Sequence, residues 1–128
     1  MQKTVNIYTC RVQDHRALKA AGVQWLDTTV KTGSSVFAPT WDMVMAWKAG
    51  TLSDEEYSVQ YRQRMEDSWN NHADVWLKTL DTDQLVLGCF CPPNTFCHRR
   101  LLAKMFVRVA SVYTHSHAIY CGEYPLYN

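Results

Sequence analysis

Residues 89–100 read CFCPPNTFCHRR and so gather Cys89, Cys91, Cys97, His98, Arg99 and Arg100 into one short stretch. Thiols and imidazoles move protons, attack electrophiles and bind soft metals, while a guanidinium forks onto phosphate or carboxylate. The stretch is therefore the first place to look for chemistry. Cys97 reads plainly as a small buried hydrophobe, and as a reactive thiolate on the sharper reading, because a helix start beside His98 and Arg99 favours the anion. His98 either orients the loop through a backbone hydrogen bond or acts as acid and base near neutral pH. Zinc would need Cys89, Cys91, Cys97 and His98 as its four ligands, but adjacent ligands at a helix start diverge and no second C-x-x-C follows. The expectation is no metal and no cofactor. A cysteine-phosphatase loop fails on register, since six residues after Cys91 stands Cys97 and not an arginine.

The elements on either side explain why these groups meet. Leu85-Val86-Leu87-Gly88-Cys89-Phe90 is a short apolar run closed by Pro92-Pro93, the pattern of a buried strand that ends near Cys91. Apolar residues then recur at Leu101, Leu102, Met105, Phe106, Val109 and Val112, which predicts a helix capped by Thr95 or Asn94 through the amide of Cys97 or His98. Its first turn offers unpaired NH groups and the positive end of the helix dipole, a setting that attracts an anion. Arg100, Lys104 and Arg108 lie on one solvated stripe. Arg99 lies off it, on a flank with Ala103 and Phe106, and is the candidate ligand contact.

Elsewhere, Thr4-Val5-Asn6-Ile7-Tyr8 alternates as a first strand, and Asp14 can cap a short helix that stops at Gly22. Residues 23–30 read as a second strand, followed by a polar loop through Gly33. Thr40 caps a helix that Gly50 ends, Ser53 and Glu56 form a capping-box signature, and a further helix carries Trp69, Ala73, Trp76, Leu77 and Leu80. Aromatics at helical spacing are ordinarily core, with Phe37 and Trp41 set apart because they border the polar loop. Ala118-Ile119-Tyr120-Cys121 reads as the last strand. Strands separated by helices imply an α/β fold: three layers, with a small, mostly parallel four-stranded sheet ordered 2-1-3-4 and flanked by helices. Ligands of such sheets bind beyond the carboxyl ends of the strands, which gathers Tyr8, Thr9, Arg11, Asp27, Lys31, Cys89, Cys91, Cys97, Arg99 and Glu123 at one rim. His115-x-His117 falls at the opposite end.

Composition sets the limits. A chain of 128 residues makes one domain with a real core. Its formal net charge of +1 shows no basic field for gripping duplex nucleic acid, so a small anionic ligand such as a nucleotide is the better partner. Five cysteines without disulfide-framework spacing, no signal peptide and no membrane-length apolar run point to a cytoplasmic protein with no membrane partner. A homodimer is compatible with all of this.

Cys89-x-Cys91 followed by Cys97-His98-Arg99-Arg100-Leu101-Leu102-Ala103 resembles the C-x-C … C-H-R-x-x-[LIV]-A signature of the uncharacterised domain-of-unknown-function 488 family. Ile7-Tyr8-Thr9 resembles that family's opening strand and Leu26-Asp27 its second. The chain differs where Cys10-Arg11 replace an I-G pair and where Thr28-Thr29-Val30-Lys31 replace a V-R, which makes Lys31 the candidate substitute for a basic group. Residues 37–41 are similar to the small stand-alone versions often found in bacteriophages, which would place the protein in a host cytoplasm. The resemblance implies an α/β architecture, the importance of Cys97-His98-Arg99, and a fold similar in kind to nucleoside deoxyribosyltransferases.

The expected function is that of a nucleotide- or nucleoside-processing enzyme, with an N-glycosidic bond as one candidate point of attack. Arg99, Lys31 and the helix amino end hold a phosphate, Asp27 or Glu123 serves as acid, base or nucleophile, and His98 moves a proton or positions the loop. The alternatives are a protein that sequesters a nucleotide unchanged and a zinc-stabilised interaction domain.

Overall fold

A computed structural model describes residues 3–89 and 96–126. The strands are β1 (Lys3–Arg11), β2 (Leu26–Asp27), β3 (Gln84–Cys89) and β4 (Ser116–Glu123). Between them lie α1 (His15–Ala20), α2 (Trp41–Lys48), α3 (Asp54–Thr79) and α4 (His98–Tyr113). Every strand pair is parallel, and the helices between strands make this an α/β fold.

The strands lie side by side in the order β2-β3-β1-β4, with β1 and β3 exchanged relative to the order expected from sequence. The exchange puts the two most apolar strands together at the centre, Ile7 opposite Leu85 and Thr9 opposite Leu87. Side chains alternate across the pleat, so Val5, Ile7, Leu85 and Leu87 face the large core formed with α2, α3 and α4. Tyr8, Cys10 and Val86 face a smaller core under α1 with Leu18 and Val23. The two-residue β2 is left at one edge and β4 at the other.

Phe37, Trp76 and Phe106 form the centre of the large core, with ring centroids 4.9–5.3 Å apart. Each is essentially inaccessible to water, and full burial of such a side chain contributes roughly 1.5–3 kcal/mol. Phe37, which the sequence placed beside the polar loop, is thus a core residue.

Local signals explain most helix ends. The Thr40 hydroxyl accepts from the Met43 amide at 3.2 Å. Ser53 and Glu56 form a complete capping box at the start of α3. Gly22 and Gly50, with φ of 73° and 78°, take the left-handed turns that follow α1 and α2. Asp14 makes no cap hydrogen bond and its carboxylate instead accepts from Arg11 Nε and Nη2, each at 3.0 Å. The two middle helices expected over 53–80 run end to end as α3, divided by a kink where His72 leaves helical backbone (φ −138°, ψ 35°). Across the kink the Trp76 indole donates to Ser68 Oγ, which donates in turn to the Val36 carbonyl.

Only Leu26–Asp27 of the strand expected over 23–30 pairs with the sheet. Beyond it the Asp27 carboxylate accepts from the Thr29 amide (2.9 Å) and the hydroxyls of Thr29 and Thr32, and so curls the chain away. Gly33 closes this turn so tightly that a Cβ would come within 2.5 Å of the Asp27 carbonyl and the Thr29 amide. The following segment is tied to α3: Tyr61 Oη donates to the Phe37 carbonyl at 2.6 Å and Arg64 Nε to the Ala38 carbonyl at 2.7 Å.

Candidate active site

The carboxyl ends of β2 and β3, the loop after β2, α2 and the start of α4 enclose a cavity of about 280 Å³. Cys89 closes β3, and Phe96, Cys97 and His98 lead into α4. The loop contributes Thr29, Val30 and Lys31; Trp41, Val44, Trp47 and Lys48 come from the outer side of α2, and Tyr57 from α3. Aromatic rings make continuous contact along one wall. Trp47 and Phe96 lie 5.8 Å apart, and Phe96 meets Tyr57 edge to face at 5.3 Å. Cys89, Cys97 and His98 are buried while Lys31, Lys48 and Trp41 are exposed, so the cavity runs from an interior of two thiols and an imidazole to a mouth with two lysines.

His98 is fixed by its neighbours. Its Nε2 lies 2.8 Å from the Thr28 carbonyl, which only accepts, so Nε2 carries the proton and donates to it. The same NH reaches Thr28 Oγ1 at 3.0 Å, and that hydroxyl donates to the Gly88 carbonyl at 2.8 Å. Nδ1 is then the acceptor and takes the Cys97 S–H at 3.7 Å. Burial disfavours the imidazolium and holds the His98 pKa below its ordinary value, despite the opposing pull of Cys89 and the Thr28 carbonyl. His98 is therefore neutral at pH 7.

Cys97 occupies the N-cap position of α4 without making a side-chain cap hydrogen bond. Asn94 and Thr95, the expected caps, lie outside the described residues, as does Cys91. The sulfurs of Cys89 and Cys97 and a ring nitrogen of His98 all lie within 4.8 Å of one another. Three of the four ligands weighed for zinc from sequence are thus together, despite the divergence expected of adjacent residues. Cys97 lies in extended backbone before the helix and His98 within it, and this turn brings both groups to one side.

Arg99 faces elsewhere. Its side chain is wholly buried, Nη1 donating to Cys89 Sγ at 3.1 Å and Nη2 to Glu123 Oε1 at 2.9 Å. Arg100 reaches the same carboxylate oxygen at 3.4 Å. Burial opposes the Arg99 charge, yet Cys89, Cys97 and Glu123 more than offset it, and its pKa is raised. The guanidinium is not among the cavity walls, so its visible partners make it a clamp between the ends of β3 and β4.

The other rim residues divide similarly. Lys31, Cys89, Cys97 and His98 meet at the cavity. Tyr8 packs on Tyr124 at 5.2 Å, on the α1 side of the sheet. Thr9 is buried against the Tyr120 hydroxyl at 3.3 Å, and Arg11 pairs with Asp14. Asp27 is bound by its own loop. Burial raises the pKa of its carboxyl, but the bonds from Thr29 and Thr32 outweigh this and hold it below the usual range. Neither Asp27 nor Glu123 lines the cavity.

Trp47, Lys48, Tyr57 and Phe96 join the site without having been singled out from sequence. Tyr57 lies on the same helical line as Tyr61 and Met65, a pattern indistinguishable from core. Trp41 borders the loop in sequence as it does in space, and 54% of it remains exposed.

A family model described as the active DUF488-N3 subclade, DUF488-N3a, matches residues 2–109. The chain belongs to this DUF488 family. The match includes β1, the cavity loop, α2, α3, β3 and most of α4, so every described cavity residue falls within it. No curated protein and no solved structure gave a match. Among the described residues, no helix is long and apolar enough to cross a membrane.

Proposed function

We propose that this DUF488-N3a protein is an enzyme that binds a nucleotide or nucleoside in the cavity and acts on it where Cys89, Cys97 and His98 converge. The observation that carries this reading is the makeup of the cavity: an aromatic wall, two lysines at the mouth and two thiols with an imidazole at the interior. Aromatic faces stack on any base. Lysines at an opening hold a phosphate as mobile point charges. A volume of about 280 Å³ lies at the small end of ligand pockets, roughly 300–1,000 Å³, and suits one nucleoside unit better than a dinucleotide.

Three features of the sequence-based assignment change. The phosphate is held by Lys31 and Lys48, and Arg99 supports the site from behind by clamping Cys89 to Glu123. Asp27 shapes the loop that carries Lys31. The reactive groups are those of the cavity interior, with an N-glycosidic bond as one target whose cleavage would release a free base. The description of the matched subclade as active agrees with an enzymatic reading.

The test is incubation of the full chain with nucleosides and their mono-, di- and triphosphates, followed by denaturation and chromatography of the released small molecules. A new product formed by the wild type and lost in His98→Ala is expected. Bound ligand returned intact would instead mark a sequestering protein, and failure to bind any member would overturn the nucleotide reading.

A further inference from the structure

We propose that Cys89, Cys97 and His98, the three ligand residues that come together among the described residues, form a zinc site whose remaining coordination position opens into the cavity. The ligand atoms all lie within 4.8 Å of one another, and Cys97 Sγ and His98 Nδ1 are 3.7 Å apart. Bonds of about 2.3 Å to sulfur and 2.0–2.1 Å to nitrogen around a tetrahedral ion place ligand atoms roughly 3.5–3.8 Å apart. Closing this cluster onto a metal requires shifts of about an ångström at most, by the same geometry.

Two neighbours prepare the ligands. Hydrogen bonding of Nε2–H to the Thr28 carbonyl at 2.8 Å aims the Nδ1 lone pair toward Cys97, as the second hydrogen bond of a metal-bound histidine does. Arg99 Nη1 donates to Cys89 Sγ at 3.1 Å, a charge-assisted contact once that sulfur is a thiolate. Two thiolates would neutralise one divalent cation, while Glu123 is shared by Arg99 and Arg100. Two sulfurs and one imidazole favour zinc over hard cations that prefer oxygen.

The same three residues line the cavity, so the remaining position faces the space assigned to the nucleotide. A metal there would acidify a bound water or polarise a ligand oxygen. That catalytic use rests on the nucleotide reading; occupancy by metal does not.

The experiment is anaerobic cobalt titration of the full chain, stripped of metal under reducing conditions, with circular dichroism confirming the fold of each variant. One cobalt per chain is expected, with thiolate-to-cobalt charge-transfer absorption and the intense visible bands of tetrahedral coordination. Cys97→Ser and His98→Ala should each weaken binding at least about tenfold, whereas Cys121→Ser, at an exposed position of β4, should leave it unchanged. Added azide should shift the visible bands. Absence of charge-transfer absorption, or wild-type affinity in a folded Cys97→Ser protein, would overturn the site; bands indifferent to azide would overturn its open position. Metal binding without nucleotide binding would leave the zinc site standing and remove the proposed substrate.

Discussion

Arg99 and His98 are neighbours in sequence with opposite tasks. The Arg99 guanidinium, wholly enclosed, bridges Cys89 and Glu123. Removing one member of a buried pair costs about 3–5 kcal/mol when both are sealed. Glu123 keeps 27% of its side-chain surface exposed, so Arg99→Ala is expected to cost roughly 3 kcal/mol, read as a lowered denaturation midpoint. A variant of native stability would mean that the clamp contributes nothing. His98 gives a pH signature: its pKa is depressed in the folded protein from 6.5, so its contribution is complete above that value. The contribution is lost as pH falls through the lower folded value, because protonation is then easier in the unfolded chain. His98→Gln should flatten this part of a stability–pH profile measured by urea denaturation. The helical flank that suggested a ligand contact from sequence points to the interior instead. Arg99 shares its helical flank with Ala103 and Phe106, and both are wholly buried. The arginine was therefore bound for the interior.

At the scale of elements, the loop between β2 and α2 and the outer face of α2 line the cavity. Asp27 holds the loop through three hydrogen bonds, two of them from hydroxyls. Bonds to a charged group contribute about 1.5–3 kcal/mol when sheltered, and screening at this half-buried site reduces the figure to about 1 kcal/mol. Asp27→Ala should lose that stability and weaken nucleotide binding by displacing Lys31; unaltered binding would separate the loop from the ligand. Trp41 is half exposed and lines the cavity without supporting the core. A base stacked on an aromatic ring gains about 1–3 kcal/mol, so Trp41→Ala should weaken nucleotide binding at least about fivefold in calorimetric titration while leaving the melting temperature unchanged. Helix ends were legible because caps are local: Thr40 and the Ser53–Glu56 box act within one turn. The shortness of β2 was not, because Val23, Trp25, Leu26, Thr28, Thr29 and Val30 are all strand formers, and it is hydrogen bonds to the Asp27 carboxylate that curl the chain away.

Across the whole molecule, the parallel sheet gathers the carboxyl ends of β2 and β3 at the cavity and those of β3 and β4 at the Arg99 clamp. Alternation of strands and helices made the α/β class readable from sequence, and all four strands were located, β2 with a span longer than the two residues that pair. The order of strands was not readable. It depends on which surfaces bury together over long sequence separations, such as Ile7 against Leu85 and Tyr120, and no local pattern encodes that choice. The site was legible in its thiols, imidazole and Lys31, whereas Tyr57 and Trp47 became part of it only through packing. The most direct measurement is chromatography of a nucleotide panel after incubation with wild type and with His98→Ala. A nucleoside or mononucleotide should give a new product with the wild type and none with the variant. A panel that neither binds nor changes, with a folded and fully reduced wild-type protein, would contradict that expectation.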